Sequence, residues 1–334
     1  MRYVTFALDT SLGPFTRAGC LTAAGDVIDL NSAYRSTLSD KLDPERASAV
    51  ADAIVPPDLI GLLGNGSLGR DAVTEAIDSL PTDTPGTRDT SGTTLVHARD
   101  AVRLLSPLPR PTSLRDCSAY EKHIANSTRG RIPKRWYDAP TYYKGNPASV
   151  IGDGDDVIVP PGVDKCDYEL EYAVVVGKAG RDLGATEALD HIAGYLVFND
   201  VSIRDVQFRE MSVGLGPAKS KDLDGTNVLG PALVTPDEWD PHEEQRMRAL
   251  VNGEEWSVGV TTTIHFSVGE ILSHISRGET LRVGDVVGTG TVGGGCGLEL
   301  GRYPVAGDTV TLDIDGLGRL TNTWRAHEQH EGTS

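Results

Sequence analysis

Short apolar runs, separated by glycine and proline, dominate the chain from about residue 140 onward. They recur about every eight to twelve residues, a spacing typical of antiparallel β-sandwiches and barrels rather than of alternating βαβ units. One amphipathic segment among them, 267–278, predicts a helix. The pattern therefore predicts a mainly β (α+β) fold for this part of the chain.

The first part of the chain mixes strand-like and helix-like patterns. Residues 1–35 predict short strands, with a hairpin turn at the Gly25-Asp26 pair. Residues 41–80 predict helices, the first of which starts at the Asp43-Pro44 pair. We therefore expect a small β-rich unit with a helical stretch.

Three prolines follow within five residues, at 107, 109 and 111. Prolines at this density favour an extended connector. We therefore predict a small N-terminal domain at 1–107, a main domain at 108–327 and a frayed tail at 328–334.

The composition is that of an ordinary soluble globular protein, with 39% hydrophobic and 24% charged residues in a chain of 334. Acidic residues outnumber basic ones by 48 to 31, for a net charge of −17. Such a surface argues against nucleic acid or an anionic membrane as a partner. The four cysteines show no CxxC pairing, and no run of 18 apolar residues occurs. We expect reduced thiols and a cytoplasmic protein.

The stretch DYELEYAVVV places three carboxylates at the start of an apolar strand, at Asp167, Glu169 and Glu171. Alternate residues of a strand share a face, so these side chains should project together. Glu169 and Glu171, with Cα atoms about 6.5–7 Å apart, could share one hard divalent ion.

Two other segments carry candidate chemistry. The apolar run from Tyr195 ends in Asn199-Asp200, and acids at strand ends are rigidly held. The segment 112–130 predicts a helix, on which Asp116 and His123 would share one face. One could bind an ion while the other acts on the substrate.

These pieces, taken in order, resemble the fumarylacetoacetate hydrolase family from about residue 108 to the end. The matching motifs are D-x₆-H, YYKG, DYELE, ND-x-S-x-RD-x-Q, GLGPAKSKDLDG, VNGE and GTGTVGGGCGLEL. The resemblance implies the family's β-roll or sandwich catalytic domain, preceded by a small β-rich N-terminal domain. It also implies a homodimer that acts on a small 2-oxo or β-diketo acid.

The resemblance also implies residue roles. The divalent ion, Mg²⁺ or alternatively Mn²⁺ or Ca²⁺, would be held by four acids: Asp116, Glu169, Glu171 and Asp200. The catalytic residues would be His123, Glu299 and Lys221. The substrate pocket would be lined by Tyr143, Gln207, Arg129 and Thr291.

The implied reaction is hydrolysis of a C–C bond in a β-diketone acid of the fumarylacetoacetate, fumarylpyruvate or acylpyruvate type. An imidazole titrates near neutral pH and can activate water, while a carboxylate such as Glu299 orients it. A hydratase, isomerase or decarboxylase of a 2-oxo acid in the same superfamily remains the alternative.

Several assignments stay open at this level. AKSKD offers both Lys219 and Lys221, and we favour Lys221; the substrate carboxylate could meet Arg129 or Arg131. Asp167 matches no family ligand position and is expected to face solvent or to support a ligand.

The GTGTVG segment, 288–293, matches the G-x-G-x-x-G dinucleotide motif. We reject that interpretation because the motif needs a helix to follow, and the segment 288–301 predicts loop and strand.

Overall fold

A computed structural model describes residues 1–214 and 216–327 of the chain. The strands, numbered in chain order, are β1 Arg2–Thr10, β2 Gly13–Leu21, β3 Val27–Asp29, β4 Val96–His97, β5 Arg103–Leu105, β6 Ser113–Cys117, β7 Tyr142–Gly145, β8 Val150–Ile151, β9 Asp156–Val159, β10 Cys166–Asp167, β11 Leu170–Val176, β12 Gly180–Arg181, β13 Ile192–Asp200, β14 Ser202–Ile203, β15 Asn227–Val234, β16 Arg246–Val251, β17 Glu254–Val260, β18 Thr280–Leu281, β19 Asp285–Gly288, β20 Thr309–Ile314 and β21 Gly318–Ala326.

The α-helices are short. They are α1 Leu30–Leu38, α2 Pro44–Ile54, α3 Leu59–Gly64, α4 Gly66–Asp78, α5 Glu121–Ser127, α6 Ala185–Leu189, α7 Arg204–Val213, α8 Val268–Ser276 and α9 Gly297–Leu300. In the part of the chain that the structure describes, no helix has the length and apolar character needed to cross a bilayer.

A twelve-stranded sheet forms the centre of the described structure. Its main path runs β4-β3-β2-β1-β15-β13-β11-β19-β6-β7, with β5 beside β1 and β8 beside β15. A five-stranded sheet has the order β17-β16-β20-β21-β9. Most neighbouring strands are antiparallel, and the parallel exceptions include β6 with β19 and β8 with β15. The mainly β (α+β) prediction is therefore confirmed.

Strand β11 is buried on both faces. Tyr172 and Val174 pack into the core that includes the five-stranded sheet, whereas Ala173 and Val175 pack into the core that includes the N-terminal helices. Alternate residues of a strand face opposite sides. Because both sides are covered, the strand has an unbroken apolar run from Tyr172 to Val176.

The large sheet continues across the proposed domain boundary. Strand β1 pairs with β15, where Tyr3 lies opposite Leu233, and both residues belong to one hydrophobic core. The division into 1–107 and 108–327 stays a prediction, and the proposed tail 328–334 lies outside the described residues.

The N-terminal pattern gave most elements correctly. Helices α2 and α4 lie inside the predicted helical stretch, but α1 begins at Leu30, inside the region predicted as strands. Its signal was Asp29, whose carboxylate accepts the backbone N–H of Ser32 and caps the helix.

The helix predicted over 112–130 is wrong in its first half. Residues Ser113–Cys117 form β6, and α5 begins only at Glu121. Asp116 therefore lies on a strand of the large sheet and does not share a helix face with His123. Pairing of β6 with β19 and β7 provides backbone hydrogen bonds and burial that local periodicity does not reveal.

The glycine-rich segment is irregular from Thr289 to Gly295, as predicted, and Cys296 forms a single β-bridge with Glu169, but the four-residue helix α9 follows. The expectation of loop and strand alone over 288–301 is wrong to that extent. No helix begins at Gly293, where the dinucleotide motif would need one.

Candidate active site

Three buried carboxylates meet where strands of the large sheet end. Asp116 lies on β6, Glu171 on β11 and Asp200 at the end of β13, and each offers an oxygen within 4.8 Å of the others. We call these three residues the acid cluster. The strand order β13-β11-β19-β6 brings together residues that are far apart in the chain.

Gly288 allows the acid cluster to close across β19. It lies opposite Asp116 in the parallel β6–β19 pair. A Cβ atom at this position would collide with Oδ1 of Asp116 and would lie 2.7 Å from the ring of Phe198. Strand β19, which lies between Glu171 on β11 and Asp116 on β6, therefore needs a glycine at this position.

The acid cluster has the properties of a cation site. Burial, and then the charge of neighbouring carboxylates, raises the pKa of Asp116 and of Glu171 well above the usual range, and burial also raises the pKa of Asp200. Oδ1 of Asp116 is buried without a hydrogen-bond partner among the described residues. A hard divalent cation would supply the missing partner and offset the repulsion, so the residues present fit one.

Lys221 connects Glu169 to the acid cluster. Its Nζ donates a hydrogen bond to Oε2 of Glu169 at 2.6 Å and another to the carboxylate of Asp200. Burial alone would raise the pKa of Glu169, but the charges of Arg204, Lys221 and His123 lower it overall. Glu169 is therefore ionised beside the cluster. Lys219, the alternative considered from sequence, is exposed.

Arg204 and Asp167 form a buried ion pair whose role sequence reasoning missed. Nε of Arg204 donates to Asp167 Oδ2 at 2.8 Å, and Nη2 donates to Glu169 Oε1 at 2.7 Å. Asp167 is fully buried, so the first of its two expected roles, that of a solvent-facing acid, is wrong. Its burial is possible because Arg204 and two backbone N–H groups satisfy its charge. The sequence signal for this contact was the spacing of Arg204 and Gln207 in the ND-x-S-x-RD-x-Q motif, because Gln207 accepts a hydrogen bond from Arg204 at 2.8 Å.

His123 and Glu299 form a hydrogen-bonded pair at 2.7 Å, between Nδ1 and Oε1. Glu299 also accepts hydrogen bonds from the side chain of Asn126 and the backbone N–H of Gly294. Burial would raise the pKa of Glu299, but these contacts, led by the one with His123, lower it. The ionised carboxylate assigns the proton on the imidazole to Nδ1. The structure thus brings His123 and Glu299 together, and their catalytic roles stay a prediction.

Backbone amides of the glycine-rich segment bind carboxylates. The N–H of Gly290 donates to Glu171 at 2.9 Å, and Thr291 Oγ1 donates to the same carboxylate at 3.0 Å. The N–H of Gly294 binds Glu299 at 2.8 Å. This segment therefore positions one member of the acid cluster and one member of the His–Glu pair.

The remaining residues that the sequence places in the substrate pocket fall into three groups. The hydroxyl of Tyr143 donates to Asp200 at 2.7 Å, and Tyr143 lines a cavity of about 460 Å³ together with Lys144, Asn146, Pro217 and Lys221. Gln207 and Thr291 are buried and form hydrogen bonds with Arg204 and Glu171, respectively.

Arg129 and Arg131 are exposed, and their side chains form no hydrogen bond or ion pair with any of the described residues. The structure does not bring either arginine to the acid cluster.

Comparison with known proteins identifies several relatives. The family model described as "Fumarylacetoacetate (FAA) hydrolase C-terminal" matches residues 113–325. The oxaloacetate tautomerase YisK of Bacillus subtilis is 33% identical over 232 residues, which cover 68% of this chain and 74% of that protein. The human mitochondrial oxaloacetate tautomerase FAHD2A is 34% identical over 232 residues, covering 68% and 71%.

A solved structure matches the whole fold. The fumarylacetoacetate hydrolase of Exiguobacterium antarcticum superposes with a TM-score of 0.69 and 26% identity, covering 97% of this chain and 100% of that one. The similarity extends through the first 107 residues, beyond the part that the family model matches.

Proposed function

We propose a function for this chain, which belongs to the fumarylacetoacetate hydrolase family: cation-dependent acid–base catalysis on a small 2-oxo acid. The observation that carries the proposal is the 2.7 Å hydrogen bond between His123 and Glu299, which lies beside Glu169 because the backbone of Glu169 pairs with Cys296, three residues before Glu299. Forming an enolate requires a base that removes a proton from carbon and a cation that stabilises the negative charge on oxygen, and the two groups would supply these.

The acid cluster and Glu169 would hold the divalent ion, Mg²⁺ or alternatively Mn²⁺ or Ca²⁺. When bound, such an ion supplies positive charge for the substrate's oxygen atoms. Lys221 adds a fixed positive charge next to Glu169 and Asp200. Tyr143 orients Asp200 and, with Lys221, forms the wall of the cavity that opens beside them.

His123 would act as the base. Because Nδ1–H is bound to Glu299, Nε2 is the nitrogen left to accept a proton. Glu299 fixes the ring orientation and stabilises the imidazolium that forms. Burial of the carboxylate strengthens this interaction relative to water.

Keto–enol tautomerisation of an oxaloacetate-like acid is the reaction that the relatives favour. Two proteins at 33% and 34% identity are oxaloacetate tautomerases. In this reaction His123 removes a proton from the carbon between two carbonyl groups, the electron pair moves onto the ketone oxygen, and a proton is returned to that oxygen. The carbon skeleton stays intact.

Hydrolysis of a β-diketo acid is the second candidate, favoured by the intact His123–Glu299 pair. Here the base takes a proton from water, the resulting hydroxide attacks a ketone carbon, and the C–C bond breaks. The leaving fragment carries the electron pair as an enolate and is then protonated. Both reactions pass negative charge to an oxygen near the cluster, which is why one site can support either.

A deuterium-exchange screen tests the proposal. The protein with Mg²⁺ is incubated in D₂O with oxaloacetate and separately with acylpyruvates, fumarylpyruvate and fumarylacetoacetate. A tautomerase exchanges the protons between the carbonyl groups and speeds interconversion of enol and keto forms, whereas a hydrolase releases two acids. The Asp116→Asn variant is the control for catalysis by free Mg²⁺. Rates no higher than this control on every substrate would overturn the proposal.

A further inference from the structure

A second group of potential metal ligands lies beside the acid cluster. His123, Cys296 and Glu299 each offer a ligand atom, and these atoms lie within 4.8 Å of one another. The Sγ atom of Cys296 is 3.5 Å from Oε1 of Glu299, and Nδ1 of His123 is 2.7 Å from the same oxygen. This group contains nitrogen, sulfur and oxygen, whereas the acid cluster is all oxygen.

The two donor sets prefer different ions. Hard cations such as Mg²⁺ take oxygen ligands, while Zn²⁺ and Co²⁺ take thiolate and imidazole readily. The mixed set would therefore discriminate against the ion that suits the acid cluster. Both sites could be filled at once by ions of different chemistry.

The separations come close to those of tetrahedral zinc. From zinc–ligand lengths, a sulfur and an oxygen ligand lie roughly 3.6 Å apart, and a nitrogen and an oxygen ligand roughly 3.4 Å apart. The Cys296–Glu299 distance already matches, and the His123–Glu299 hydrogen bond must open by roughly 0.7 Å. His123 is partly exposed on the short helix α5, so its side chain has room to move.

The charge of the surroundings also favours a second cation. Hydrogen bonds and ion pairs connect the two groups into one network, in which Arg204 and Lys221 are the two cationic side chains. Its acids are Asp116, Asp167, Glu169, Glu171, Asp200 and Glu299. Counted as six carboxylates and two cationic side chains, the network has a formal charge of −4 before any proton or metal ion binds. One divalent ion in the acid cluster still leaves two negative charges, which a second divalent ion would neutralise.

We propose that His123, Cys296 and Glu299 form a binding site for a thiophilic divalent cation of the Zn²⁺ class, which switches the acid–base pair off. On binding, the Cys296 thiol releases its proton to solvent and becomes a thiolate ligand. The imidazole proton moves from Nδ1 to Nε2, so that the Nδ1 lone pair binds the ion. The nitrogen that had been free to accept a proton is then protonated. Only this inhibitory consequence rests on the proposed function.

Direct binding is measured with Co²⁺ as the probe, with excess Mg²⁺ present to fill the acid cluster. A thiolate ligand gives a sulfur-to-cobalt charge-transfer absorption that an all-oxygen site cannot give. We expect this band in the parent protein and in Cys20→Ala, which removes a different buried thiol. We expect no band in Cys296→Ala. This readout does not depend on catalysis, so it can fail or succeed independently of the proposed function.

Inhibition is measured with Zn²⁺ at saturating Mg²⁺, with each variant compared with its own zinc-free rate. The half-inhibiting Zn²⁺ concentration should rise in Cys296→Ala by roughly 10–100-fold or more. Loss of a residue that only supports a metal ligand already lowers metal affinity by that factor, and Cys296 is proposed to bind the ion directly. The half-inhibiting concentration should be unchanged in Cys20→Ala. A cobalt band that persists in Cys296→Ala, or zinc inhibition that excess Mg²⁺ reverses in parent and Cys296→Ala alike, would overturn the proposal by placing the thiophilic ion elsewhere.

Discussion

Arg204 donates a hydrogen bond to Asp167 at 2.8 Å, and the two side chains are 2% and 0% exposed. The same guanidinium holds Glu169, while Asp167 accepts the backbone N–H of Gly297 at the start of α9. Helix α9 carries Glu299. One buried ion pair therefore connects the proposed cation site to the proposed acid–base pair.

Replacing Asp167 with Asn should misplace α9 and its glutamate. The neutral side chain can no longer accept both backbone N–H groups while neutralising Arg204. We expect kcat to fall by roughly 10–100-fold, the usual cost of losing a positioning partner. Asp205→Asn is the matched control, because Asp205 also accepts backbone N–H groups but is exposed. If the two variants have equal kcat, the connection has no catalytic role.

Removing the imidazole of His123 should stop proton transfer without unfolding the protein. We expect His123→Ala to lower kcat by roughly 10²–10⁴-fold, the range typical of lost general-base catalysis. Circular dichroism and Mg²⁺ binding should stay as in the parent. His242→Ala, at an exposed histidine that pairs with Asp240, is the control. Activity within a few-fold of the parent would show that another group is the base.

Glu299 and His123 should act as one unit. Glu299→Gln keeps the shape of the side chain but removes the charge that stabilises the imidazolium, so kcat should fall. The double variant should be little worse than the more impaired single variant, because residues that work together are not additive. Steady-state kinetics of the parent, the two single variants and the double variant give a double-mutant cycle. Fully multiplicative losses would indicate independent roles.

Lys221→Met should destabilise the cation-free protein. The substitution leaves Glu169 and Asp200 buried without their shared ammonium group. Removing one partner of a buried charge pair costs roughly 3–5 kcal/mol of unfolding free energy. Urea unfolding checks this, with Lys219→Met as the exposed control two residues away. Equal unfolding free energies for the two variants would contradict the role of Lys221.

The stabilising effect of Mg²⁺ should grow with pH. Burial and neighbouring carboxylates raise the pKa of Asp116 and Glu171 in the cation-free fold. The unfolded chain releases these protons near pH ~4, so above that pH the folded state binds more protons and its unfolding free energy falls as pH rises. A bound cation replaces the protons and removes this loss.

Thermal unfolding with Mg²⁺ and with EDTA measures the effect. The gain in Tm from Mg²⁺ should increase from pH 5 to pH 8 in the parent protein. The Asp116→Asn/Glu171→Gln variant should show little gain at either pH. A gain in the parent that does not change with pH would mean that these two carboxyls do not titrate with cation binding.

The sequence alone predicted the mainly β (α+β) fold and named the candidate residues. The ordered motifs led us to expect four acids, Asp116, Glu169, Glu171 and Asp200, around one cation, with Glu299 beside His123. The structure brings three of the acids together, holds Glu169 beside them through Lys221, and pairs His123 with Glu299. The local pattern predicts the strand around Val174 correctly because these residues are buried on both faces, and burial requires apolar side chains whichever elements cover them.

Only the tertiary structure decided how the site is connected. It put Asp116 on a strand, because pairing with β19 outweighs the helical periodicity of 112–130. It buried Asp167 against Arg204, 37 residues away in sequence, and it left Arg129 exposed. Hydrogen bonds and ion pairs between distant segments depend on strand order and on close approaches such as that of Gly288 to Asp116. The periodicity of apolar residues along the chain carries no information about these contacts. It identifies which segments form strands, but not which strands become neighbours in the sheet.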